Sequence, residues 1–279
     1  MAARKTRRAS GTPASGPSPK APSEGWQGWD DYAPFYDWEN ARTLGRRDVP
    51  FWLRMTRVVR GPVLELGAGT GRVTMPLARE GVHVVGVDRS AAMLDRAMRR
   101  VARQRRGVTP GLVRADIRGL PFADRTFQMA IAPYGVLQSL LSERDLKATL
   151  ADVARVVKPE GMFGLELVAD LPSWSEYQHK VSLRGRRGSG NTRITLVESV
   201  RQDRRRGFTI FDQEFIERRG RQTRRRSFAL TFRTLSVPQM TRRLAAVGFA
   251  VEALLGDYQG GPWDPRADVW ILLARRTRS

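Results

Sequence analysis

The chain has 279 residues, 41% hydrophobic and 28% charged, the proportions of a globular protein that buries one substantial core. It has no cysteine, which excludes disulfides, thiolate metal sites and any mechanism built on a cysteine nucleophile; no metal is expected. No apolar run approaches the roughly 18 residues of a membrane helix, and no apolar core follows the basic N-terminal residues, so Arg7-Arg8 does not read as an export signal and a cytoplasmic location is expected.

The formal net charge of +21 raises the question of nucleic acid. Its distribution weakens that reading, with +4 over residues 1–25, +5 over 26–170, +10 over 171–236 and +2 over 237–279. Arginine outnumbers lysine 44 to 5, a skew that a GC-rich genome explains without any phosphate surface. Nucleic acid is therefore possible but not favoured, and the oligomeric state is not legible.

Residues 1–25 combine Pro, Gly, Ser, Ala and Arg without an apolar period and read as a flexible basic tail. Residues 26–60 turn abruptly aromatic, with four tryptophans by Trp52 and Tyr32, Phe35, Tyr36 and Phe51 among them, which predicts a helical cap over a cleft or onto the core. From 61 to 170 strands and helices alternate, the signature of a parallel sheet covered on both faces. Val63-Leu64-Glu65-Leu66 leads into Gly67-Ala68-Gly69-Thr70-Gly71-Arg72, where alternate glycines let the backbone turn sharply and approach a ligand at a helix start. Val84-Val85-Gly86-Val87-Asp88 ends in an acid able to accept from both hydroxyls of a ribose, and Ser90 is placed to cap the next helix. Pro76 falls in the helix after the glycine loop, where it is expected to remove a backbone hydrogen bond.

Val113 to Ile117 and Phe127 to Ala132 predict the third and fourth strands, the latter breaking at Pro133. Ser142 and Asp145 form a capping-box pattern ahead of Leu146, Leu150, Val153 and Val157 on one helix face; Lys158-Pro159-Glu160-Gly161 is expected to stop that helix before a strand from Met162 to Val168. Residues 171–236 depart from the alternation and predict an inserted antiparallel meander, with reversals at Asp203–Gly207 and Arg218–Gly220. Residues 237–279 then supply a helix capped by Ser236 and Gln239 and stopped by Gly248, and two last strands, Phe249–Leu255 and Val269–Ala274.

A dinucleotide fingerprint requires a third glycine where Arg72 stands, which argues against NAD. The pattern Glu65-x-Gly67-x-Gly69-x-Gly71, with Asp88, Asp116 and the Pro133 break in order behind it, resembles class I S-adenosylmethionine-dependent methyltransferases of the bacterial small-molecule type. The ending Gly256-Asp257-Tyr258-Gln259-Gly260-Gly261-Pro262 is similar to the close of many of them. The resemblance implies a Rossmann-like, doubly wound α/β fold with a seven-stranded, mainly parallel sheet whose last strands pair antiparallel, plus the small inserted sheet. It implies cofactor contacts from Glu65, Gly67, Ala68, Gly69 and Gly71 in the loop, and from Asp88, with Arg89 and Met93 behind it, at the ribose. Asp116 and Ile117 would meet the adenine, while Ala132, Tyr134 and Tyr36 would meet the methionine end.

Methyl transfer from a sulfonium needs alignment and exclusion of water more than a dedicated catalytic group. Where the acceptor must lose a proton, Tyr134, Gln138 and His179, with Tyr177, are the candidates. Ala132-Pro133-Tyr134 lacks the acid, Asn or Ser before Pro-Pro-aromatic of DNA amine methyltransferases, and cytosine C5 chemistry needs a cysteine, so a small-molecule acceptor fits best. An RNA-directed methyltransferase and a non-catalytic cofactor-binding protein are the alternatives.

Overall fold

Four consecutive buried residues make β1 (Val63–Leu66) a strand that only the middle of a sheet can accommodate. The computed structural model describes residues 28–104, 107–168, 175–188, 191–267 and 269–278; the expected basic tail of residues 1–25 lies outside them. β1 is followed by β2 (Val84–Asp88), β3 (Gly111–Arg114), β4 (Phe127–Ala132) and β5 (Val157–Val168). β6 (Tyr177–Arg187), β7 (Thr192–Asp203), β8 (Phe208–Arg219) and β9 (Gln222–Arg233) come next, then β10 (Phe249–Leu255) and β11 (Val269–Arg276). The larger sheet has the order β10-β11-β5-β4-β1-β2-β3. β3, β2, β1, β4 and β5 run parallel, and β11 is antiparallel to both β5 and β10. Strand order reverses between β1 and β4, so the loops leaving their carboxyl ends flank a crevice, the place where open α/β sheets bind ligands.

Six α-helices and a short 3₁₀ helix (Val136–Ser139) accompany the strands among the described residues: α1 (Trp29–Asn40), α2 (Val49–Arg57), α3 (Thr74–Arg79), α4 (Ala91–Val101), α5 (Glu143–Val156) and α6 (Val237–Ala246). Their starts follow side-chain caps where the sequence offers them. The Ser90 hydroxyl accepts from the Met93 amide at 3.1 Å, and Ser236 with Gln239 forms a complete capping box. At α5 only half of the expected box exists, because Ser142 accepts from the Asp145 amide while the Asp145 carboxylate reaches Arg118 at 3.2 Å.

One expectation about local structure holds and one is corrected. Pro76 removes the expected backbone bond, since the Met75 amide donates to Gly71 at 3.1 Å and the Leu77 amide to Val73 at 3.2 Å while Pro76 between them has no N–H. Lys158–Gly161 does not separate helix from strand. β5 begins at Val157, directly after α5, and the pairing with β4 jumps from Phe127↔Val157 to Met129↔Met162, so those four residues bulge out, with Glu160 at φ 62°.

The second sheet is antiparallel in chain order, β6 to β9, and its reversals fall where the glycine-ended turns predict. β6 went unrecognised because it is a largely exposed edge strand with little apolar alternation. The two sheets share α1. Tyr32, Phe35 and Trp38 pack against Ile194, Leu196, Phe215 and Leu230, with the Phe35 and Phe215 rings stacked at 4.4 Å. Four rings surround Phe215, which is wholly buried. Phe215→Ala is expected to cost about 3–5 kcal/mol of unfolding free energy in chemical denaturation, the range for truncating a buried aromatic; a loss under about 1 kcal/mol would show that α1 does not depend on this sheet.

Candidate active site

The crevice at the β1/β4 switch opens into a cavity of about 550 Å³, within the range of small-molecule and cofactor sites. Its floor is the glycine loop. Gly67, Gly69 and Gly71 all have positive φ, and a Cβ at Gly67 would stand 2.4 Å from the Val136 methyl, so the loops after β1 and β4 close together only because that position is glycine. The Gly69 amide donates to the Asp88 carboxylate at 2.7 Å, and the Ser90 amide donates to its other oxygen at 2.8 Å. Burial raises the Asp88 carboxyl above its ordinary range, and the amides of Ser90, Gly69 and Arg89 pull it back. Asp88 lines the cavity.

Glu65 lies at the end of β1, only 3% exposed, with its carboxylate taking the Thr74 hydroxyl. Burial pushes it up to about 8, against the opposing pull of that hydroxyl and of Arg72. Arg72 turns away from the loop into a bidentate pair with Asp48, the residue before α2; its Nη2 is 2.7 Å from Asp48 Oδ2. The same guanidinium acts on the Tyr36 hydroxyl, opposing the rise that burial causes there, and lies 5.4 Å from the centre of the Tyr134 ring. Asp48 is fully buried and the Arg72 side chain nearly so.

α1 forms the roof. Asp37 accepts from Thr70 of the glycine loop at 2.6 Å and pairs with Arg100 of α4 at 2.8 Å, while Asp30 accepts from the Ser90 hydroxyl. Trp29, Asp30, Asp31 and Tyr36 therefore face the cavity from above.

Of the residues singled out in the sequence, Tyr36, Glu65, Gly67, Ala68, Gly69 and Asp88 line this cavity, as do Arg89, Met93, Asp116, Ile117 and Tyr134. Gly71 and Ala132 do not; Gly71 is turned toward Met75 and Ala97, and Ala132 is wholly buried in β4. Gln138 is also buried, its amide spent on the Val168 backbone at 2.8 and 3.3 Å. His179 sits on the exposed edge strand β6, beside a separate shallow depression, and Tyr177 bonds Glu198 there. The structure thus brings neither Gln138 nor His179 to the cavity.

Asp116 is present but occupied. Arg118 and Arg89 both pair with it at 2.8 Å, and these contacts, Arg118 foremost, hold its carboxyl below the usual range although burial pulls the other way. An adenine amino group would have to share this carboxylate. Sequence reading missed Asp30, Trp29, Arg118 and the distal wall of Leu140 and Phe232. Trp29 and Asp30 belong to the aromatic N-terminal segment and Arg118 follows Asp116 by two residues, whereas Leu140 and Phe232 reach the cavity from parts of the chain distant in sequence.

The Arg72–Asp48 pair gives a direct test. Asp48→Ala leaves a buried guanidinium without its partner and is expected to cost about 3–5 kcal/mol in denaturant unfolding. The double variant Asp48→Leu with Arg72→Met should recover most of that loss while weakening ligand binding in the cavity. Equal losses in the single and double variants would show that the pair is not the relevant contact.

Residues 63–161 match the family model described as a methyltransferase domain. The chain is 37% identical over 147 residues to a demethylmenaquinone methyltransferase of Corynebacterium kroppenstedtii, covering 51% of this chain and 58% of that one. The match thus spans little more than half the length of that curated relative. Among solved structures, an S-adenosylmethionine-dependent methyltransferase from Clostridium acetobutylicum superposes with a TM-score of 0.72 at 16% identity, covering 87% of this chain and 98% of the other. The sugar N-methyltransferase KedS8 from Streptoalloteichus sp. superposes with a TM-score of 0.70 at 16% identity, over 98% and 100%. At those identities the likeness is one of fold, and it extends to the inserted sheet. Strand order and glycine loop agree with the matched segment, and residues 63–161 carry a methyltransferase domain.

Proposed function

We propose that this chain transfers a methyl group from S-adenosylmethionine to a small-molecule acceptor. The observation that carries the reading is the cavity floor, where Gly69 and Asp88 are hydrogen-bonded to one another and both line the cavity. A nucleoside diol fits that carboxylate, and the volume of about 550 Å³ fits a cofactor of this size. When bound, S-adenosylmethionine supplies a sulfonium-activated methyl group. Asp88 would hold the ribose hydroxyls, the backbone of Gly67 to Gly69 would line its path, and Tyr36 and Tyr134, both resting on Arg72, would border the methionine end. The α1 roof would exclude water, and alignment is then the main work left to the protein. Among the cavity-lining groups Tyr134 is the one placed to touch an acceptor; its burial raises the hydroxyl above its ordinary value, which suits a hydrogen-bond donor better than a base. The acceptor is thus expected to be nucleophilic without strong base assistance. The relatives that act on demethylmenaquinone and on a sugar amine support the small-molecule class.

S-adenosylhomocysteine at 100 times its dissociation constant should stabilise the fold by about 2.7 kcal/mol in a thermal shift, and NADH should not. Asp88→Ala should abolish that shift and leave a cooperative unfolding transition; a shift that survives would place the ligand elsewhere.

An RNA-directed reading has one observation in its favour. Arg186, Arg193 and Arg218 stand in register across β6, β7 and β8, and no ion pair joins any of them to an acid among the described residues. Binding of a single-stranded RNA that weakens steeply between about 50 and 200 mM salt would favour it, and flat or absent binding would remove it.

A further inference from the structure

β5 carries one polar side chain into its buried stretch. Glu166, flanked by Leu165 and Leu167, is 2% exposed between β4 and β11, where an apolar residue would cost nothing to bury. Its two oxygens have one donor each. Oε2 accepts the backbone amide of Tyr134 at 3.1 Å, and Oε1 accepts the hydroxyl of Tyr258 at 2.9 Å.

Both donors lie at informative places. Tyr134 has φ 54° and is followed by Gly135 at 65°, so the chain makes two successive left-handed steps at the end of β4. A tyrosine pays for that conformation where glycine would not, and such strain persists where the surroundings hold it and the side chain is used. Its ring is 38% exposed, to the cavity, over Arg72. Tyr258 belongs to the Gly256–Pro262 ending, to which the cofactor reading assigns no role. That loop is built to present it. The Asp257 carboxylate accepts the amides of Gln259, Gly260 and Gly261, each at 2.8 Å, and Arg54 of α2 bonds the Tyr258 carbonyl.

We propose that Glu166 and Tyr258 form a positioning pair, in which the C-terminal loop orients a buried carboxylate that fixes the Tyr134 backbone and so sets the wall of the cleft at the methionine end. The inference rests on the reading of the cleft as an S-adenosylmethionine site. Charged neighbours reach Glu166 from two elements, Asp48 before α2 and Arg72 in the glycine loop, with the Tyr258 hydroxyl above it. Burial, reinforced by Asp48, pushes the Glu166 carboxyl up to about 7, opposed by the Tyr134 amide, the Tyr258 hydroxyl and Arg72. The contact to Tyr134 therefore becomes a stronger, charge-assisted bond as pH rises through that value.

The test is calorimetric titration of S-adenosylhomocysteine into the full chain between pH 5.5 and 8.5. Ionisation of the ligand is common to every variant and cancels in their ratios. Wild-type affinity should rise through about pH 7. Glu166→Gln keeps an acceptor for the Tyr134 amide, so it should stay within about threefold of wild type at the acid end and lose the excess pH dependence. Tyr258→Phe removes a donor to the charged form and should move the midpoint upward. Glu166→Leu should weaken binding about tenfold or more across the range, the worth of one charge-assisted bond. Should Glu166→Leu not fold, the other two variants decide. Wild-type profiles in both Glu166→Gln and Tyr258→Phe would overturn the positioning role, whereas absence of binding by the wild-type chain would overturn the cofactor reading beneath it.

Discussion

The contact on which the cleft depends is the buried pair between Arg72 and Asp48. It joins the loop leaving β1 to the start of α2, and α2 in turn lays Trp52 against β5, where a Cβ on Gly164 would be 2.9 Å from the indole. Tyr36 and Tyr134 both rest on the same guanidinium, from the roof and from the β4 loop. A buried ion pair is weak as a source of stability, since desolvation offsets most of its Coulomb energy, but one that is removed by halves is costly. Its use here is geometric. The planar, bidentate fork allows one orientation of Arg72 relative to Asp48, and so one placement of the two rings that stand on it.

α1 extends that constraint to the second sheet. One face, through Asp30 and Asp37, is tied to α4 and the glycine loop; the other, through Tyr32, Phe35 and Trp38, is buried in the aromatic cluster with Phe215 and Phe228. The helix thus joins the inserted sheet to the cavity floor through contacts on both its faces. Phe232 of β9 also reaches the cavity, so the insertion contributes both a support for the roof and part of the wall. Any ligand that loosens Phe232 acts on a strand whose other apolar residues, Phe228 and Leu230, pack under α1.

What could be read from the chain follows the range of the physics involved. The glycine loop, the acid at the end of β2 and the caps at Ser90 and Ser236 are local, because a positive φ or a hydroxyl three residues before an amide leaves its mark in adjacent letters. Gln138 and His179 look polar and available in the sequence, yet the first is consumed by the Val168 backbone and the second sits on an outer edge. Asp116 stands where the pattern placed it, but Arg118 two residues on occupies it together with Arg89, which comes from the turn after β2. Asp48 and Glu166 gave no signal at all. Each is one acid in an ordinary context, and only the pairing of β5 with β4 and β11, or of α2 with the loop, turns it into a constraint.

The departure at Arg72 can now be explained physically. In a dinucleotide fold the third glycine of the loop lets the following helix pack closely on the strand beside it. Here the close approach comes from the other side, because a Cβ on Gly86 of β2 would stand 2.7 Å from the Ala68 Cβ and 2.8 Å from the Thr74 hydroxyl. With Gly86 supplying the space, the loop position is free to carry a long side chain, and the absence of a pyrophosphate in the proposed cofactor removes the other demand for a bare backbone. Thr74 uses the space to cap Glu65, and Arg72 uses its freedom to reach Asp48. With the glycine on the neighbouring strand instead of in the loop, the site has a buried acid at its floor and walls that rest on an arginine.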